Sequence, residues 1–581
     1  MGNLNKIIFK LNNTILSALS EKSDIRKELI IENDKLSQFV GDDLMCAYKK
    51  VLNGYITEAP KKKEPQLSTA VIYIQGKKLP YAFCEFAELS KQNPNDVGLK
   101  ISTARCLVHL KAYNTLLKHF IPFFTEHINE DSEFLHLTAS TYFWLPEYYA
   151  KAIPLYEKLL KIQKKGKFDY NYRLAYLYER VYQDKKLDIQ IKHAQKALES
   201  TDKTNIVNTF LAKLYYRAGR KDECEECFHK VLSNNPLPDE VVCYGRYLMK
   251  EGRIKEGFDK YRIRFETGRI TYPQPLTPET RWDGIKDISN KTVIVHYEQG
   301  FGDSVMFSRY IPALSDIAGK VIFVVQKNLV PIFKSSGYEK YCTLLSHEAD
   351  VNPEIELTST NRSIMYSKGE GMGKIPHDYH IPLMDLPYLM NESPSRMKEA
   401  GGYLTADENK IKEFRKKYIK KNNKIKIGLA FHGTKQSIVT YRDISVKKFI
   451  PLLKMKGAEF YSFQADEYAK EMDELPKNII IHDLGKEFRD FEDTACALNC
   501  MDLIISTDNV VMNLAGAMGV KTYGLFNIFP ESRWYKTTGK DIGWYKSVRP
   551  FKVSTFNDWD NLILKVKKSM LEDFPVLKLY E

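Results

Sequence analysis

The chain has 581 residues and a net charge of +13 at pH 7, and this length is too great for a single hydrophobic core. Its apolar and charged fractions are those of an ordinary soluble globular protein, and no apolar run approaches the roughly 18 residues of a membrane-spanning helix. We therefore expect no membrane insertion. The nine cysteines lack the paired spacing of a metal site, so they predict reduced thiols in a cytoplasmic protein. The positive charge favours an anionic ligand or partner, without choosing between a nucleotide, a nucleic acid and an acidic surface.

Residues 1–69 are helical in pattern, and residues 70–289 carry a degenerate repeat. Two pairs of residues recur at the same interval of 33 positions, namely Gly219 with Gly252 and Phe228 with Tyr261. Small and aromatic residues that recur with a period of about 34 positions predict stacked pairs of helices. Such a stack leaves a concave groove. The groove either binds a peptide or protein, or the repeats only support the rest of the chain or mediate dimerisation.

The stretch KTVIVHYEQGFGDSVMFSRYIP predicts the start of a first α/β domain, to which we assign residues 290–405. Its β-branched and aliphatic run is typical of a buried parallel strand, and a turn and a helical pattern follow it. In a doubly wound domain, the ligand lies at the carboxyl end of such a strand. The turn brings small and acidic residues together: Gly300, Gly302, Glu298 and Asp303. Further strands are predicted at 321–325, near 344 and at 380–383.

Residues 406–581 predict a second α/β domain, because strands again alternate with helical patterns. The predicted strands are 425–431, 459–464, 479–482, 503–506 and 522–526. The clearest signal is MDLIISTDNVVMNLAGAMG, in which a buried strand ends near Asp508 and a helix rich in small residues follows. The free N–H groups at the start of this helix suit a diphosphate. Capping of the helix is the alternative role for Asp508.

In their order and spacing, these motifs resemble bacterial proteins that fuse tetratricopeptide repeats to a heptosyltransferase-related glycosyltransferase of the GT-B type, similar to glycosyltransferase family 9. Flagellin-modifying proteins belong to that group. The resemblance extends from about residue 70 to residue 560, and it includes shorter motifs besides the stretches quoted above. The shorter motifs are RWDG at 281–284, DYHIPL at 378–383, YRDI at 441–444, Gln464, DLG at 483–485, DTA at 493–495 and GWY at 543–545.

The resemblance implies a fold of the α plus α/β class, with an N-terminal tetratricopeptide-like α-solenoid followed by a GT-B pair of doubly wound α/β domains. It implies an inverting, metal-independent enzyme without a cofactor. This enzyme would move a sugar from a nucleotide-sugar donor, held by the second α/β domain, to a hydroxyl of a macromolecular acceptor. A protein presented by the repeat groove is the first interpretation of the acceptor. A nucleic acid with modified bases, a glycan, and a non-catalytic repeat scaffold are the alternatives. The basic run at 410–426 motivates the nucleic acid, although such a run is also typical of a solvated helix.

By the same resemblance, Asp303 is the expected base that accepts the proton of the acceptor hydroxyl, and Glu298 is the second candidate. Gly300 and Gly302 form the expected acceptor-side loop. The expected donor-binding residues are Gly433, Thr434, Lys435, Arg442, Gln464, Thr507, Asp508, Asn509 and Asn513, and no residue is assigned to a metal. The family usually has histidine at position 513. The asparagine of this chain can donate a hydrogen bond to a phosphate, but it carries no charge.

Structural roles compete with several of these assignments. Asp303 is also a candidate helix N-cap, Arg442 a candidate surface salt bridge and Gln464 a candidate solvated amide. His296 and His432 each end a strand, and each is either a functional or a packing residue. The aromatic residues of the last segment either stack on a nucleotide base or pack between the domains: Trp534, Tyr535, Trp544 and Tyr545.

Overall fold

The chain divides into two compact units, Met1–Asn234 and Asn235–Glu581. A computed structural model describes residues 79–162, 167–201, 203–268, 270, 276–298, 300–346, 375–393, 402–433, 442–528, 530–535, 537, 539–540, 542–555 and 557–578. The predicted helical segment at 1–69 lies outside these residues.

The described part of the first unit is built from α-helices. They are α1 (Leu79–Gln92), α2 (Val97–His109), α3 (Tyr113–His119), α4 (Ile121–Glu126), α5 (Ser132–Phe143), α6 (Tyr149–Ile162), α7 (Lys167–Tyr182), α8 (Leu187–Leu198), α9 (Thr204–Arg217) and α10 (Lys221–Leu232). Successive helices pack against one another, α7 against α8 and α9 against α10 most extensively. Their buried faces form clusters of aromatic and aliphatic side chains. The prediction of packed helix pairs is therefore confirmed for the described residues.

The spacing of 33 positions in the sequence corresponds to a repeated turn. Gly219 follows α9, and Gly252 follows α11 (Pro238–Lys250) of the second unit, with φ angles of 72° and 78°. After each glycine, the next N–H donates a 2.9 Å hydrogen bond back to a carbonyl of the preceding helix. This left-handed C-terminal turn suits glycine because glycine has no Cβ. Lys111, with φ 57°, makes the same turn after α2.

The second unit begins with the last helix pair of the predicted repeat domain, α11 and α12 (Ile254–Tyr261). The two helices approach closely at glycines, since a Cβ on Gly245 would lie 2.8 Å from the carbonyl oxygen of Gly257. A 3-10 helix, Arg262–Thr267, follows α12. This helix pair shares its compact unit with both α/β domains.

The first sheet of the second unit is parallel, with the order β3-β2-β1-β4. Its strands are β1 (Thr292–His296), β2 (Lys320–Val325), β3 (Thr343–Ser346) and β4 (Tyr379–Pro382), and its helices are α13 (Phe301–Phe307), α14 (Ile311–Ser315), α15 (Val330–Ser335) and α16 (Leu386–Leu389). All four predicted strands are confirmed to within two residues. The continuous apolar runs of β1 and β2 are explained by the burial of these two strands on both faces of the sheet.

The second sheet is also parallel, with the order β10-β9-β8-β5-β6-β7. Its strands are β5 (Ile425–Ala430), β6 (Ala458–Ser462), β7 (His482–Asp483), β8 (Leu503–Thr507), β9 (Thr522–Phe526) and β10 (Val548–Lys552). Its helices are α17 (Glu408–Tyr418), α18 (Ile450–Leu453), α19 (Phe491–Leu498), α20 (Val510–Ala517) and α21 (Trp559–Asp573). The strand predicted at 479–482 is wrong in most of its length, because Ile480 is 67% exposed and pairing begins only at His482. Strand β10 was not predicted, because it contains Pro550 and proline is unusual within a strand. Proline is tolerated here because β10 lies at the edge of the sheet.

One hydrophobic core joins the parts of the second unit. It includes side chains of α11 and α12, of the first sheet and of one face of the second sheet. Helix α13, which follows β1, packs against α20, which follows β8. The other face of the second sheet has a core of its own. Among the described helices, none combines the length and apolar character of a membrane span. The eight cysteines within the described ranges are free thiols.

Candidate functional site

In each parallel sheet, the early strands lie on one side of the first strand and the later strands lie on the other side. The place where the strand order reverses is the switch point, and doubly wound sheets bind ligands there. The switch point of the first sheet lies between β1 and β4, and that of the second sheet lies between β5 and β8. Most of the predicted site residues follow β1, β5 or β8 directly. Because α13 packs against α20, the carboxyl edges of the two sheets approach each other.

Arginines close the carboxyl edge of the first sheet. Arg264, from the 3-10 helix after α12, donates two hydrogen bonds of 2.7 Å to Glu298 and one of 2.9 Å to Asp385. Arg262 and Arg281 also pair with Asp385. The side chains of Arg264, Glu298 and Asp385 are at most 2% exposed. Burial alone raises the pKa of Asp385, but the three guanidinium groups outweigh burial and hold this pKa below its usual value.

Glu298 is engaged on both carboxylate oxygens. Besides the two bonds from Arg264, its Oε1 accepts the backbone N–H of Met384 at 2.9 Å. A carboxylate in a buried pair of this kind accepts a proton from a substrate only after the pair has broken. The geometry therefore favours a structural role for Glu298 over its predicted role as the second candidate base.

The histidine at the end of β1 belongs to a neutral buried pair. His296 Nε2 lies 3.2 Å from His380 Nδ1. His380 Nε2 lies 2.8 Å from the carbonyl oxygen of Thr277 and donates to it, so Nδ1 is left to accept from His296. Burial lowers the pKa of His296 to about 3 and that of His380 to about 4. The packing interpretation of His296 is confirmed.

Asp303 lies in the first turn of α13, where it forms an ion pair with Arg533. Gly300 is the N-cap of this helix and no side chain caps it, so the N-cap role weighed for Asp303 is wrong. The Asp303 side chain is 10% exposed. Since Arg533 comes from the segment between β9 and β10, the pair joins the two α/β domains. An adjacent guanidinium favours the ionised carboxylate, which is the state that a base requires.

The carboxyl edge of the second sheet holds a buried carboxylate that is only partly paired. Asn509 Oδ1 accepts two N–H groups of the first turn of α20, so Asn509 is the N-cap and the capping role weighed for Asp508 is wrong. The Asp508 side chain is 8% exposed, with Arg442 Nη1 at 3.9 Å from Oδ2. Within the described part of the chain, Oδ2 has no hydrogen-bond partner. Burial raises the pKa of Asp508 to about 6; Arg442 and the neighbouring Trp534 side chain oppose this rise, and Glu531 adds to it.

Gln464 and its neighbours hold the turn after β5. The Oε1 of Gln464 accepts the N–H of His432 at 3.0 Å, and the residue is 4% exposed, so the interpretation as a solvated amide is wrong. The ring of His432 stacks on Tyr468 with 4.1 Å between centroids, and its Nε2 lies 2.7 Å from Glu471 Oε1. Asn509 Nδ2 donates to the carbonyl of His432 at 3.2 Å. These contacts fix the end of β5 against the end of β8.

Gly433 and Thr507 lie on the two sides of the same switch point. The N–H of Gly433 donates to Asp443 Oδ1 at 3.0 Å. Thr507 is fully buried, and its hydroxyl oxygen lies 3.3 Å from the side-chain nitrogen of Asn509. The two predicted residues that follow Gly433, Thr434 and Lys435, lie outside the described residues.

Asn513 lies between the two α/β domains, with both amide atoms engaged. Its Nδ2 donates to the carbonyl of Asn509 at 2.9 Å, and its Oδ1 accepts from the hydroxyl of Tyr545 at 3.1 Å. A Cβ on Gly302 would lie 3.0 Å from Asn513 Nδ2, so glycine permits the close approach of α13 to α20. This arrangement favours a packing role for Asn513 over the predicted phosphate contact.

Aromatic residues of the last segment fill the region between the domains. Trp544 is fully buried and packs edge to face against Phe307 of α13, with 5.8 Å between ring centroids. Its carbonyl accepts a 2.9 Å hydrogen bond from Arg309, whose guanidinium lies over the Tyr545 ring. The packing interpretation is confirmed for Trp544.

Three charged residues of these edges were missed by the sequence analysis: Arg264, Glu531 and Arg533. Glu531 and Arg533 follow β9, so their position beyond the carboxyl end of a buried strand was an available signal. Arg264 carried no such signal, because it follows a helix of the repeat pattern and its partners lie 34 and 121 positions away.

The two edges together can perform acid–base chemistry on a polar ligand. Asp303 offers an ionised carboxylate, which can accept a proton once its ion pair with Arg533 opens. Opposite it, the start of α20 offers the positive end of its helix dipole, and Arg442 offers a cation. Asp508 offers an oxygen that has no partner within the described residues and can accept a hydrogen bond from a hydroxyl.

Comparisons with known proteins add a distant relative. No family model matches the chain. Protein FlbA of Caulobacter vibrioides (strain ATCC 19089 / CIP 103742 / CB 15) is 25% identical over 367 residues, which are 61% of this chain and 58% of that protein. The match therefore spans less than two thirds of the relative.

Solved structures overlap with the chain only weakly. A glycosyl transferase family 9 protein from Veillonella parvula DSM 2008 matches at 12% identity and a TM-score of 0.34, over 50% of this chain and 100% of that one. An O-GlcNAc transferase mutant from Thermobaculum terrenum matches at 11% identity and a TM-score of 0.27, over 88% and 92%. Overlaps at such TM-scores do not establish a shared fold.

Proposed function

We propose that the chain is a glycosyltransferase that moves a sugar from a nucleotide-sugar donor to a hydroxyl of a macromolecular acceptor, a protein presented by the helical repeats. The proposal includes a cytoplasmic location and a reaction without a metal or cofactor. One observation supports it: the switch points of the two sheets approach each other, with Asp303 at the first. At the second, beside Arg442, lies an Asp508 oxygen that has no hydrogen-bond partner among the described residues.

The donor is held at the second switch point in this proposal. Its diphosphate lies at the start of α20, where Arg442 and the positive end of the helix dipole favour its negative charge. The unpaired oxygen of Asp508 accepts a hydroxyl of the donor, since a buried oxygen without a partner is unfavourable until a donor group reaches it. Gln464, Thr507 and Asn509 hold the β5 and β8 turns in place beneath the donor.

The chemical step uses the first switch point. The acceptor oxygen attacks the anomeric carbon from the face opposite the diphosphate, and the bond from that carbon to the diphosphate oxygen breaks, with inversion. The hydroxyl proton passes to Asp303, and the diphosphate leaves with the electron pair of the broken bond. Arg533 keeps Asp303 ionised before the step and brings a loop of the donor domain to the base.

Donor binding and transfer are tested separately. A panel of UDP-, GDP-, ADP- and CMP-sugars is screened by thermal stabilisation, because a ligand that binds the folded state raises the melting temperature. We expect one donor to raise the melting temperature of the wild type but not that of Asp508→Asn. With that donor, Asp303→Asn keeps the stabilisation and loses transfer by a factor on the order of 10²–10⁴. Full transfer by Asp303→Asn would remove the proposed base, and the absence of any stabilising donor would favour the non-catalytic scaffold.

Metal independence has its own test. The rate of transfer by the wild type is measured before and after exhaustive chelation of divalent ions, and we expect it to stay within about twofold of its starting value. A loss that is restored by one added divalent ion would contradict this part of the proposal, and it would leave the transfer reaction itself intact.

The acceptor is tested by removing residues 1–234. This boundary retains Arg262, Arg264 and Arg281, which hold the first sheet edge through Asp385 and Glu298. We expect the shortened chain to keep a cooperative unfolding transition and to hydrolyse the donor, but to lose transfer to a folded protein. Undiminished transfer to that protein would remove the role of the first unit in acceptor binding.

A nucleic-acid acceptor is favoured by one feature of α17, whose cations Lys412, Arg415, Lys416 and Lys417 are exposed. A nucleic acid bound there would release counterions, so the logarithm of the affinity would fall by several units per unit of log salt concentration. Measured DNA binding without this slope would exclude it. The exposed helix also matches the interpretation of the basic run as a solvated helix.

A further inference from the structure

A charged cavity lies at the amino ends of β9 and β10, at the edge of the second sheet opposite the candidate site. Its volume is about 270 Å³. Since β9 has five residues, the two edges are roughly 15 Å apart along this strand. Four cations and one carboxylate line the cavity: Lys521, Lys540, Lys546, Arg549 and Asp573.

The single carboxylate is already shared between two of the cations. Asp573 Oδ2 lies 2.8 Å from Lys521 Nζ, and Oδ1 lies 4.0 Å from Arg549 Nη1. Asp573 also accepts a 2.5 Å hydrogen bond from the hydroxyl of Tyr523. As far as the described residues go, Lys540 and Lys546 have no ion pair. The cavity therefore carries an excess of positive charge that the protein does not balance locally.

The dipoles of neighbouring helices explain the presence of only some of these cations. The carboxyl ends of α20 and α21 lie at this edge of the sheet and favour nearby cations. Lys540 and Lys546, however, belong to the connection between β9 and β10 and not to a helix end. Beside them, the hydroxyl of Ser547 is buried at the cavity and, among the described atoms, has no hydrogen-bond partner. An unpartnered hydroxyl next to unbalanced cations is suited to an oxyanion.

We propose that this cavity binds a small phosphate-bearing anion, with Lys540, Lys546 and Arg549 supplying the charge and the Ser547 hydroxyl donating a hydrogen bond. Its volume lies below the roughly 300–1,000 Å³ of sites that enclose drug-sized ligands. The cavity therefore accommodates a phosphate or diphosphate group and not a complete nucleotide sugar. This site is separate from the proposed donor site and does not depend on it.

The test is a calorimetric titration of the full-length protein with inorganic pyrophosphate at low ionic strength. The variant Lys540→Gln/Lys546→Gln removes the unbalanced charge, and Ser547→Ala removes the hydroxyl alone. The matched control is Lys412→Gln/Lys416→Gln, which makes the same change of charge at exposed positions of α17. Arg442→Gln reports on pyrophosphate bound at the proposed donor site.

We expect the cavity double variant to bind at least tenfold more weakly, Ser547→Ala several-fold more weakly, and the Lys412→Gln/Lys416→Gln control within twofold of the wild type. Equal weakening by the control would show non-specific attraction and overturn the proposal. Loss of binding in Arg442→Gln alone would assign the pyrophosphate to the donor site and also overturn it. In a parallel titration, a nucleoside diphosphate that bound much more tightly through Lys540 and Lys546 would overturn the size limit.

Discussion

The charged residues at the carboxyl edges of the two parallel sheets differ in how completely they are paired. At the first edge, three arginines surround Glu298 and Asp385, and the carboxylates are fully paired and buried. At the second edge, Asp508 is also buried, but its nearest cation lies 3.9 Å away and one oxygen has no hydrogen-bond partner within the described residues. Removing one member of a pair of the first kind leaves an uncompensated buried charge, whereas an unpaired buried group of the second kind can be satisfied by a ligand.

The histidines of the two edges repeat this difference. His296 and His380 contact each other in the first sheet, and burial keeps both neutral at pH 7. His432, which follows β5 in the second sheet, faces Glu471 and Asp443. These carboxylates outweigh burial and raise its pKa. The first edge thus avoids an uncompensated charge, while the second edge maintains several charges close to one another.

The largest expected effect comes from breaking the buried ion pairs at the first edge. Arg264→Met leaves Glu298 without its guanidinium partner and removes one of the three arginines around Asp385, so we expect a loss of about 3–5 kcal/mol in the free energy of unfolding. Chemical denaturation of the full chain measures it. The matched control is Arg442→Met at the other edge. Arg442 is 28% exposed and lies 3.9 Å from Asp508, so this change costs less than about 1 kcal/mol.

Equal losses in the two methionine variants would show that the edges do not differ as described. A further variant, Arg264→Met combined with Glu298→Met, sharpens the comparison. Because an apolar pair leaves no buried charge at position 298, we expect part of the lost stability to return.

The sequence was sufficient to predict the elements of the site, because strand runs and the turns after them are local patterns. Eight of the ten strands in the described part of the chain lie where they were predicted, and Asp303, Gly302 and Asp508 all lie at switch points. The roles of the side chains were less predictable. The partner of Asp303 is Arg533, 230 positions later, and no local pattern indicates such a pair. Asn513 was predicted to face a ligand, but its amide oxygen accepts from Tyr545, 32 positions later, and no local pattern indicates this contact.

The repeat region shows the same limit at a smaller scale. Gly219 and Gly252 revealed the repeat because the left-handed turn after each helix favours glycine. The equivalent turn at Lys111 was not recognised, since a lysine occupies it at φ 57°. The left-handed turn can therefore be predicted from the sequence where glycine occupies it, and elsewhere only the structure shows it.

An intermediate effect on stability is expected from Asp508, at the second edge, as pH changes. The pKa of Asp508 is raised to about 6, so the folded state binds this proton more tightly than the unfolded chain does. Its contribution to stability is complete below about pH 4 and is lost as pH rises through about 6. Asp508→Asn stays neutral, so we expect it to be more stable than the wild type by about 2 kcal/mol at pH 7.5 and equally stable at pH 4.

Denaturation curves at the two pH values measure this difference, in the absence of any nucleotide sugar. Arg442→Gln is the matched control, because removing this cation raises the pKa of Asp508 further and leaves the carboxylate in place. A variant Asp508→Asn that was less stable than the wild type at pH 7.5 would contradict the description of Asp508 as an underpaired buried carboxylate.

The smallest expected effect concerns His432. Its raised pKa depends on Glu471, whose Oε1 lies 2.7 Å from Nε2, and on Asp443, whose Oδ1 lies 3.7 Å from Nδ1. Such a histidine stabilises the fold fully below its unfolded pKa of about 6.5, and this contribution disappears as pH rises through the folded value. In Glu471→Gln, we expect the His432 titration followed by NMR to move downward by about one pH unit or less. His296, at the closed edge, should show no titration between pH 5 and 8 in either protein, because its pKa lies at about 3. A His296 resonance that titrated in this range would mean that the first edge is open to protons, and the difference between the two edges would then lie in their ion pairs alone.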